Sequence, residues 1–220
     1  MSVCAAEASP DCALCPRLVS FRATNRSVEP SWHNGPVPSF GIEDAAQVRL
    51  LIVGLAPGLR GANRTGRPFT GDYAGDLLYQ TLLSYGFAHG HYDARPDDGL
   101  TLTGCMITNA VRCVPPENKP TPAEIATCRP FLAERIATLP QLTAIVALGR
   151  IAHDSTLAAL GARKAAFPFA HGARHQVRPH LTLFDSFHCS RYNTNTGKLT
   201  PEMFRSVFAN ARSQLDRLPP

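Results

Sequence analysis

The chain has 220 residues, of which 44% are hydrophobic and 18% are charged, and its formal net charge is +5 at pH 7. These values exclude a disordered chain and suit one α/β domain with an ordinary hydrophobic core. No apolar run is long enough to span a membrane, and the positive charge is compatible with a polyanionic partner without identifying one.

The N-terminal residues carry no export signal. Residues 1–10 lack the basic and apolar regions of a secretory signal, which predicts a cytoplasmic location. Disulfides are rare in that compartment, so the seven cysteines of the chain need another explanation.

Four of the cysteines form two pairs. Cys12 and Cys15 make a C-x2-C sequence, while Cys113 and Cys128 are separated by fourteen residues. Four thiols favour a metal site, and their spacing leaves an iron–sulfur cluster, a zinc ion and unrelated buried thiols open. Cys4 and Cys105 are interpreted as ordinary thiols, the second of them inside a buried strand.

Strands and helices alternate along the chain. Short apolar runs without strict alternation predict buried parallel strands at residues 50–54, 105–109, 144–149 and 181–187. Helical patterns lie at 72–85, 121–138, 150–160 and 201–218, and the second begins with the capping sequence Thr-Pro-Ala-Glu. This order predicts a three-layer α/β/α sandwich around a central, mainly parallel four-stranded sheet, as a single domain with residues 1–45 as an extension.

The loop after the first strand is rich in glycine. Five of the nineteen residues from 54 to 72 are glycine, which lets backbone amides approach a ligand closely. The Gly-x4-Gly-Lys-Ser/Thr sequence of nucleoside triphosphatases is absent. Phe69 is either a stacking platform for a flat ring or a core residue beneath the loop.

The segment after the last strand carries a histidine followed by small polar residues. At the carboxyl end of a strand, where ligands bind in such folds, His188 is placed to stabilise a developing oxyanion or serves only a structural role. The adjacent Cys189 is disfavoured as a nucleophile because the sequence shows no separate base and oxyanion loop for it.

Three strand-end sequences together carry a family resemblance. Residues 54–72 contain Gly-Leu-Ala-Pro, Gly-Arg and Phe-Thr-Gly-Asp, Thr108-Asn109 follows, and residues 188–197 contain His-x-Ser and Asn-Thr-Asn-Thr-Gly. From Cys12 to about Phe208 the chain resembles the uracil-DNA glycosylase superfamily, above all its family 5 (type b) branch. The resemblance implies a DNA repair enzyme that flips out uracil, and also hypoxanthine and other deaminated bases, and hydrolyses the N-glycosidic bond to leave an abasic site.

Two other functions fit parts of the pattern. A non-catalytic DNA-damage-binding protein would share the fold and the charge, and only an assay for the abasic product separates it from an enzyme. An iron–sulfur electron carrier would not require the glycine-rich loop or the polar segment that follows His188.

The resemblance implies a cofactor and two catalytic residues. Families 4 and 5 share a four-cysteine [4Fe–4S] site, which assigns the cluster here to Cys12, Cys15, Cys113 and Cys128. His188, in its neutral form, would donate a hydrogen bond to the uracil oxygen, while Asp72 would stabilise the cationic sugar or orient water. Asp72 at the start of a helix is otherwise only a cap. The glutamate that family 4 has directly after the first glycine is Leu55 here.

The same resemblance assigns the binding residues. Uracil would stack on Phe69, with Asn109 reading its amide edge and backbone amides near Ala56 and Gly58 assisting. DNA contacts are expected from Arg64, Ser190, Arg191, Tyr192, Asn193 and Asn195, with Tyr192 or Arg191 as the wedge that fills the gap left by the flipped base. Further phosphate contacts are expected near the cysteines, from Arg17, Arg22, Arg112, Lys119 and Arg129. The protein is expected to act as a monomer on damaged DNA in the cytoplasm, at the nucleoid, and away from membranes.

Overall fold

The computed structural model describes residues 6–42 and 44–217. The strands are β1 (Phe40–Gly41), β2 (Leu50–Gly54), β3 (Ala88–His89), β4 (Thr101–Leu102), β5 (Cys105–Asn109), β6 (Ala144–Leu148), β7 (Arg174–Arg178) and β8 (Leu181–Ser186). The α-helices are α1 (Pro16–Val28), α2 (Ala62–Thr65), α3 (Tyr73–Ser84), α4 (Pro122–Ala137), α5 (Arg150–Ala159), α6 (Arg191–Asn195) and α7 (Pro201–Arg217). Among these described helices, none combines the length and the apolarity needed to cross a membrane.

One six-stranded sheet organises the fold, in the order β1-β5-β2-β6-β8-β7. The four predicted strands β2, β5, β6 and β8 are its parallel centre, as expected. Two antiparallel edge strands, β1 and β7, were not predicted. β1 has only two residues, and β7 is a polar strand with alternating exposure, so neither produces an apolar run.

Helices cover both faces of the sheet and confirm the three-layer sandwich. One face packs on α3 and α7 through a core that includes Leu78, Leu82, Phe204 and Phe208. The opposite face packs on α4 and α5 through a second core that includes Leu132 and Leu157. Because both faces are covered, all residues of β2, β5, β6 and β8 are buried, which is why their sequences do not alternate.

The four predicted helices are confirmed as α3, α4, α5 and α7, whereas α1 and the short helices α2 and α6 were not predicted. Thr121 caps α4 in a reciprocal capping box with Glu124, as the sequence predicted. The N-terminal helix α1 was missed because its buried face consists of Leu18, Arg22 and Asn25, which is not an apolar stripe. This helix packs against the segments that carry Val111 and Cys128, and so ties the N-terminal residues to the domain.

Candidate active site

One pocket lies at the carboxyl ends of β2, β5 and β8. It encloses about 560 Å³. Its wall combines apolar loop residues with a few polar groups, namely Leu55, Ala56, Pro57, Gly58, Ala62, Phe69, Asp72, Tyr73, Ala74, Asn109, Asn118, His188, Ser190 and Arg191. The three strand-end sequences thus meet at one edge of the sheet, as expected for a parallel α/β fold.

Phe69 serves as a core residue and as part of the pocket wall. Its side chain is 7% exposed and packs in the core under α3. Its ring stacks near His188, with the ring centroids 5.9 Å apart and the planes inclined by 28°. The backbone φ of 53° lies in the left-handed region, which a bulky side chain seldom adopts. The surrounding structure therefore holds Phe69 in place against a local conformational cost.

Gly54 lets Asn109 and Phe69 approach each other. A Cβ built on Gly54 would overlap the Oδ1 atom of Asn109 and lie 2.6 Å from Cζ of Phe69. Asn109 is 3% exposed, and its Oδ1 atom has no hydrogen-bond partner among the described residues. A buried polar atom without a partner is costly, so a ligand that donates a hydrogen bond to it is the natural complement.

Gly54→Ala is expected to reduce activity at this pocket by about a hundredfold, because displacing a positioned group by about 1 Å costs this much. The new methyl group would push Asn109 and Phe69 apart while leaving the rest of β2 intact. Val53→Ala is the matched control, because Val53 neighbours Gly54 but packs into the opposite core. The turnover rate of both variants checks the prediction, and equal losses would contradict it.

Asp72 is the one carboxylate among the described residues that line the pocket. It occupies the N-cap position of α3, but its side chain makes no capping hydrogen bond, and Oδ1 is buried without a partner in the part of the chain that the structure describes. Burial raises the pKa of this carboxyl group, against the opposing influence of the Gly75 and Ala74 amides. A Cβ on Gly58 would lie 2.8 Å from Oδ2 of Asp72, so the loop leaves room for the carboxylate alone.

His188 is a neutral imidazole on the other side of the pocket. Burial lowers its pKa to about 4, so the ring carries no charge at neutral pH. Its backbone is fixed because the Asn193 side-chain amide donates a 2.8 Å hydrogen bond to the His188 carbonyl. Gly149 follows β6, has φ of 99°, and lies so close to His188 that an added Cβ would contact the histidine Cβ.

The residues after His188 form a short helix at the mouth of the pocket. Ser190 caps α6 and lines the pocket together with Arg191, whose guanidinium lies 5.2 Å from the Tyr73 ring centroid. Tyr192 is 75% exposed, the most exposed large hydrophobic side chain among the described residues. The Asn193 side chain is hydrogen-bonded to the His188 carbonyl, whereas Asn195 is exposed at the end of α6.

Some groups that frame the pocket were not predicted, and one predicted residue lies outside it. Arg64 is exposed on the glycine-rich loop, donates a hydrogen bond to the Arg60 carbonyl and does not line the pocket. Tyr73 and Asn118 line it without having been singled out. Asn118 belongs to a proline-rich loop and has φ of 57°, and only that cluster of prolines pointed to an ordered loop there.

The four paired cysteines meet in a separate small cavity. Cys12, Cys15, Cys113 and Cys128 all line it, enclosed by apolar side chains that include Leu18, Val111 and Phe131. In residues 6–42 and 44–217, no three of these sulfur atoms lie within 4.8 Å of one another. The one such group of ligand-type side chains is His153, His175 and Asp185, which are joined by hydrogen bonds.

Two arginines complete the surroundings of the cysteines. The Arg112 backbone amide donates to Cys128 Sγ at 3.3 Å, and the Arg22 guanidinium donates to Cys113 Sγ at 3.8 Å. Arg112 is 1% and Arg22 5% exposed, so the expectation that they contact phosphate was wrong. Their charges make contacts within the protein, since Arg112 also forms an ion pair with Glu7.

The other thiols lie apart from this cavity. Cys105 is buried in β5 as expected, and burial raises its pKa to about 12. Cys189 is fully buried, its Sγ lies 3.4 Å from the Ala74 carbonyl oxygen, and burial raises its thiol pKa far above the usual range. It is therefore no nucleophile, in agreement with the sequence reasoning. Cys4 lies outside the described residues.

Comparison with known proteins agrees with this arrangement. The family model for the uracil DNA glycosylase superfamily matches residues 40–212. A type-5 uracil-DNA glycosylase of Thermus thermophilus is 46% identical over 207 residues, which cover 91% of this chain and 92% of that relative. A type-5 uracil-DNA glycosylase of Mycobacterium bovis is 42% identical over 210 residues, covering 91% and 77%. A type-4 uracil-DNA glycosylase of Archaeoglobus fulgidus is 37% identical over 117 residues, covering 53% and 49%.

Proposed function

The chain belongs to the uracil-DNA glycosylase superfamily, in its type-5 branch, and we propose that the pocket between β2, β5 and β8 performs the excision of uracil from DNA. Water adds to the sugar carbon as the N-glycosidic bond breaks, giving free uracil and an abasic site. The observation that carries this assignment is the convergence of Asp72, Asn109 and His188 around Phe69 in one pocket.

Two residues of the pocket wall explain base recognition, the apolar Phe69 and the polar Asn109. The Phe69 ring offers a flat face for the pyrimidine, and aromatic faces bind bases by stacking. Asn109 offers its amide to the base edge, and its unpartnered Oδ1 would accept the hydrogen bond from the uracil N–H. The backbone near Ala56 and Gly58 borders the same space.

Catalysis follows from the charges that develop as the bond breaks. The departing uracil gains negative charge, and neutral His188 stabilises it by donating a hydrogen bond to a carbonyl oxygen of the base. A charged imidazolium is not needed for this role. The sugar gains positive charge, and the Asp72 carboxylate stabilises it and orients the water that attacks it. Leu55 lines the pocket where the resemblance places a glutamate in family 4, so Asp72 acts without a second carboxylate from the described wall.

DNA approaches from the side of α6. We assign the wedge to Tyr192, because an exposed aromatic side chain at the mouth of the pocket can stack in the space that the flipped nucleotide leaves. Arg191, held over Tyr73 at the pocket rim, is placed to meet the phosphate of the extruded nucleotide. Ser190, Asn193 and Asn195 belong to the same segment, and Arg64 is exposed in α2.

The pocket, at about 560 Å³, is larger than one pyrimidine requires, and Leu55, Ala56 and Gly58 are among its lining residues. We extend the substrate range on this ground to hypoxanthine and other deaminated bases. The protein acts as a monomer on DNA in the cytoplasm, at the nucleoid.

The four paired cysteines fit a [4Fe–4S] cluster better than a single zinc ion. Thiolates bound to one zinc lie about 3.8 Å apart, because each Zn–S bond measures about 2.3 Å in tetrahedral geometry. The sulfurs of Cys12, Cys15, Cys113 and Cys128 surround one cavity but are spread more widely than that. When bound, such a cluster supplies a cross-link between α1, the segment after β5 and α4, and hydrolysis requires no electron transfer from it.

The decisive experiment combines product analysis with one variant. Wild-type protein is expected to release free uracil and leave an abasic site in an oligonucleotide, with hypoxanthine and thymine oligonucleotides as parallel substrates. His188→Ala is expected to lower the single-turnover rate by about 10²–10³-fold, the usual effect of losing one oxyanion donor. His180→Ala, at an exposed and remote position, is the control.

The pH dependence tests the protonation state of the same residue. Because the pKa of His188 is about 4, its ring stays neutral from pH 5 to 9, and the single-turnover rate should show no inflection from it in that range. An inflection near the ordinary histidine pKa that disappears in His188→Ala would overturn this role. Binding of damaged DNA without any abasic product would overturn the proposed function itself.

A further inference from the structure

The strained loop that carries Phe69 is held by side chains from three other parts of the chain. The Tyr79 hydroxyl donates to the Pro68 carbonyl at 2.6 Å, and the Tyr92 hydroxyl donates to the Phe69 carbonyl at 3.3 Å. The Thr65 hydroxyl lies 3.1 Å from the Thr70 carbonyl oxygen. Backbone carbonyls on both sides of Phe69 are therefore bound by hydroxyl groups in place of regular secondary structure.

The side chain of Arg67 contacts several of these groups at once. Its Nε donates to the Thr70 hydroxyl at 2.7 Å, and that hydroxyl lies 3.2 Å from the Pro68 carbonyl oxygen. Its guanidinium lies among the rings of Phe40, Tyr79 and Tyr92, at 5.1, 5.3 and 5.8 Å from their centroids. Such a position favours a cation and fixes the rings around it.

A buried carboxylate fixes Arg67 in turn. Asp98 accepts two parallel hydrogen bonds from the guanidinium, at 2.8 and 2.7 Å, and the Asp98 side chain is fully buried. Asp98 also accepts the backbone amides of Asp93 and Leu100, which shapes the loop that brings Tyr92 to Phe69. Burial opposes ionisation, but the hydrogen bonds from Arg67 and these amides hold the pKa of Asp98 well below its usual range.

Neither member of this pair lines the pocket. A buried charge pair is a poor source of stability compared with apolar packing, whereas its fixed bidentate geometry is a good way to hold a backbone in one conformation. Phe69 is the group that needs such support, because its φ of 53° is unfavourable for a bulky residue.

We propose that Arg67 and Asp98 are positioning residues that hold the Phe69 ring at the angle and height required to stack on the flipped base. The inference rests on the proposed function, since it assumes that Phe69 stacks on that base. The Arg67–Asp98 ion pair would then affect both the affinity for the base and the rate of the chemical step, and both effects would act through Phe69 alone.

Asp98→Asn and Tyr92→Phe test the inference with a large and a small perturbation of the contacts around Phe69. Asp98→Asn removes the charge that fixes Arg67, while Tyr92→Phe removes only the hydroxyl that binds the Phe69 carbonyl. Inhibition by free uracil and single-turnover excision are measured well below the melting temperature. We expect the uracil inhibition constant to rise about tenfold for Asp98→Asn and severalfold for Tyr92→Phe, with slower excision at saturating DNA in both.

A double-mutant cycle with Phe69→Ala separates positioning from mere structure. If the ion pair acts through Phe69, Asp98→Asn causes no further rise in the uracil inhibition constant once Phe69 is alanine. An undiminished effect in the Phe69→Ala background would overturn the inference, as would unchanged uracil inhibition in both Asp98→Asn and Tyr92→Phe.

Two controls keep the outcomes distinct. Val207→Ala, in the core of α7, lowers the melting temperature without touching this loop and should leave uracil inhibition unchanged. The wild-type protein is assayed for uracil release first. Absence of release would refute the proposed function, whereas wild-type release with wild-type inhibition in the variants would refute only the positioning role.

Discussion

Asp72→Asn is expected to lower the rate of uracil excision by about a thousandfold and to make the protein more stable. The loss of rate follows from removing the one carboxylate of the described pocket wall, since a positioned acid–base or charge-stabilising group contributes about 10²–10⁴-fold. Asparagine keeps the size of the side chain, so the loop of Gly58 and Gly61 is undisturbed. Single-turnover excision and thermal unfolding check the two effects.

The gain in stability follows from the sign of the pKa shift. Burial raises the pKa of Asp72 in the folded protein above its value in the unfolded chain, so the fold disfavours the charged form. The resulting loss of stability is absent at low pH, where the group is protonated in both states, and grows as pH rises through the folded pKa. Asparagine removes this loss, so the free energy of unfolding and the Tm should both rise at neutral pH.

Asp76→Asn is the matched control, because Asp76 is exposed in the first turn of the same helix. It should change neither the excision rate nor the stability appreciably. The advantage of Asp72→Asn over wild type should shrink as the pH is lowered. Near wild-type excision by Asp72→Asn would contradict the catalytic role, and a fall in its stability would show that the carboxylate acts as a cap.

Loss of one paired cysteine is expected to have the second large effect. Cys113→Ser or Cys128→Ser should abolish the iron binding and brown colour that the proposed cluster would give the protein, and should lower the free energy of unfolding by about 3 kcal/mol or more. The reason is that three separate segments converge on one small cavity and are otherwise joined by few apolar contacts. Iron and sulfide analysis, visible absorption and thermal unfolding measure these changes.

The same substitution should reduce excision through the neighbouring pocket. Cys113 follows Asn109 by four residues, and Ala56 of the pocket wall packs against the apolar group around the cysteines. Cys105→Ala is the control, because this buried thiol lies in β5 and does not line the cysteine cavity. A colourless wild-type protein that contains stoichiometric zinc would contradict the iron–sulfur assignment.

Much of the fold follows from local sequence signals. The central strands are continuous apolar runs because both faces of the sheet are covered. The start of α4 was predicted from the capping box that Thr121 and Glu124 form. The edge strands β1 and β7 were missed because half of an edge strand faces solvent or the strand is too short to form a pattern. Helix α1 was missed because it buries Arg22 and Asn25 along with Leu18.

The candidate site shows the same division. Asp72, Asn109 and His188 were singled out by the family resemblance. Its motifs follow the ends of parallel strands, which meet at one edge of the sheet. The expectation for Arg22 and Arg112 was wrong because charge in a sequence does not reveal whether an arginine faces DNA or the interior. Their burial is decided by the cysteines and by Glu7, to which they lie close only after folding.

The sequence by itself determined the parallel core, the family and the meeting of Asp72, Asn109 and His188 in one pocket, because these depend on short-range patterns and on strand ends. Only the tertiary structure gave the physical cause of the neutral state of His188, the burial of Asp72 Oδ1 without a partner among the described residues, and the contacts of Arg67 and Asp98 around Phe69. These properties arise from desolvation and from contacts between residues as much as 31 positions apart, such as the Arg67–Asp98 pair, and no local pattern encodes them.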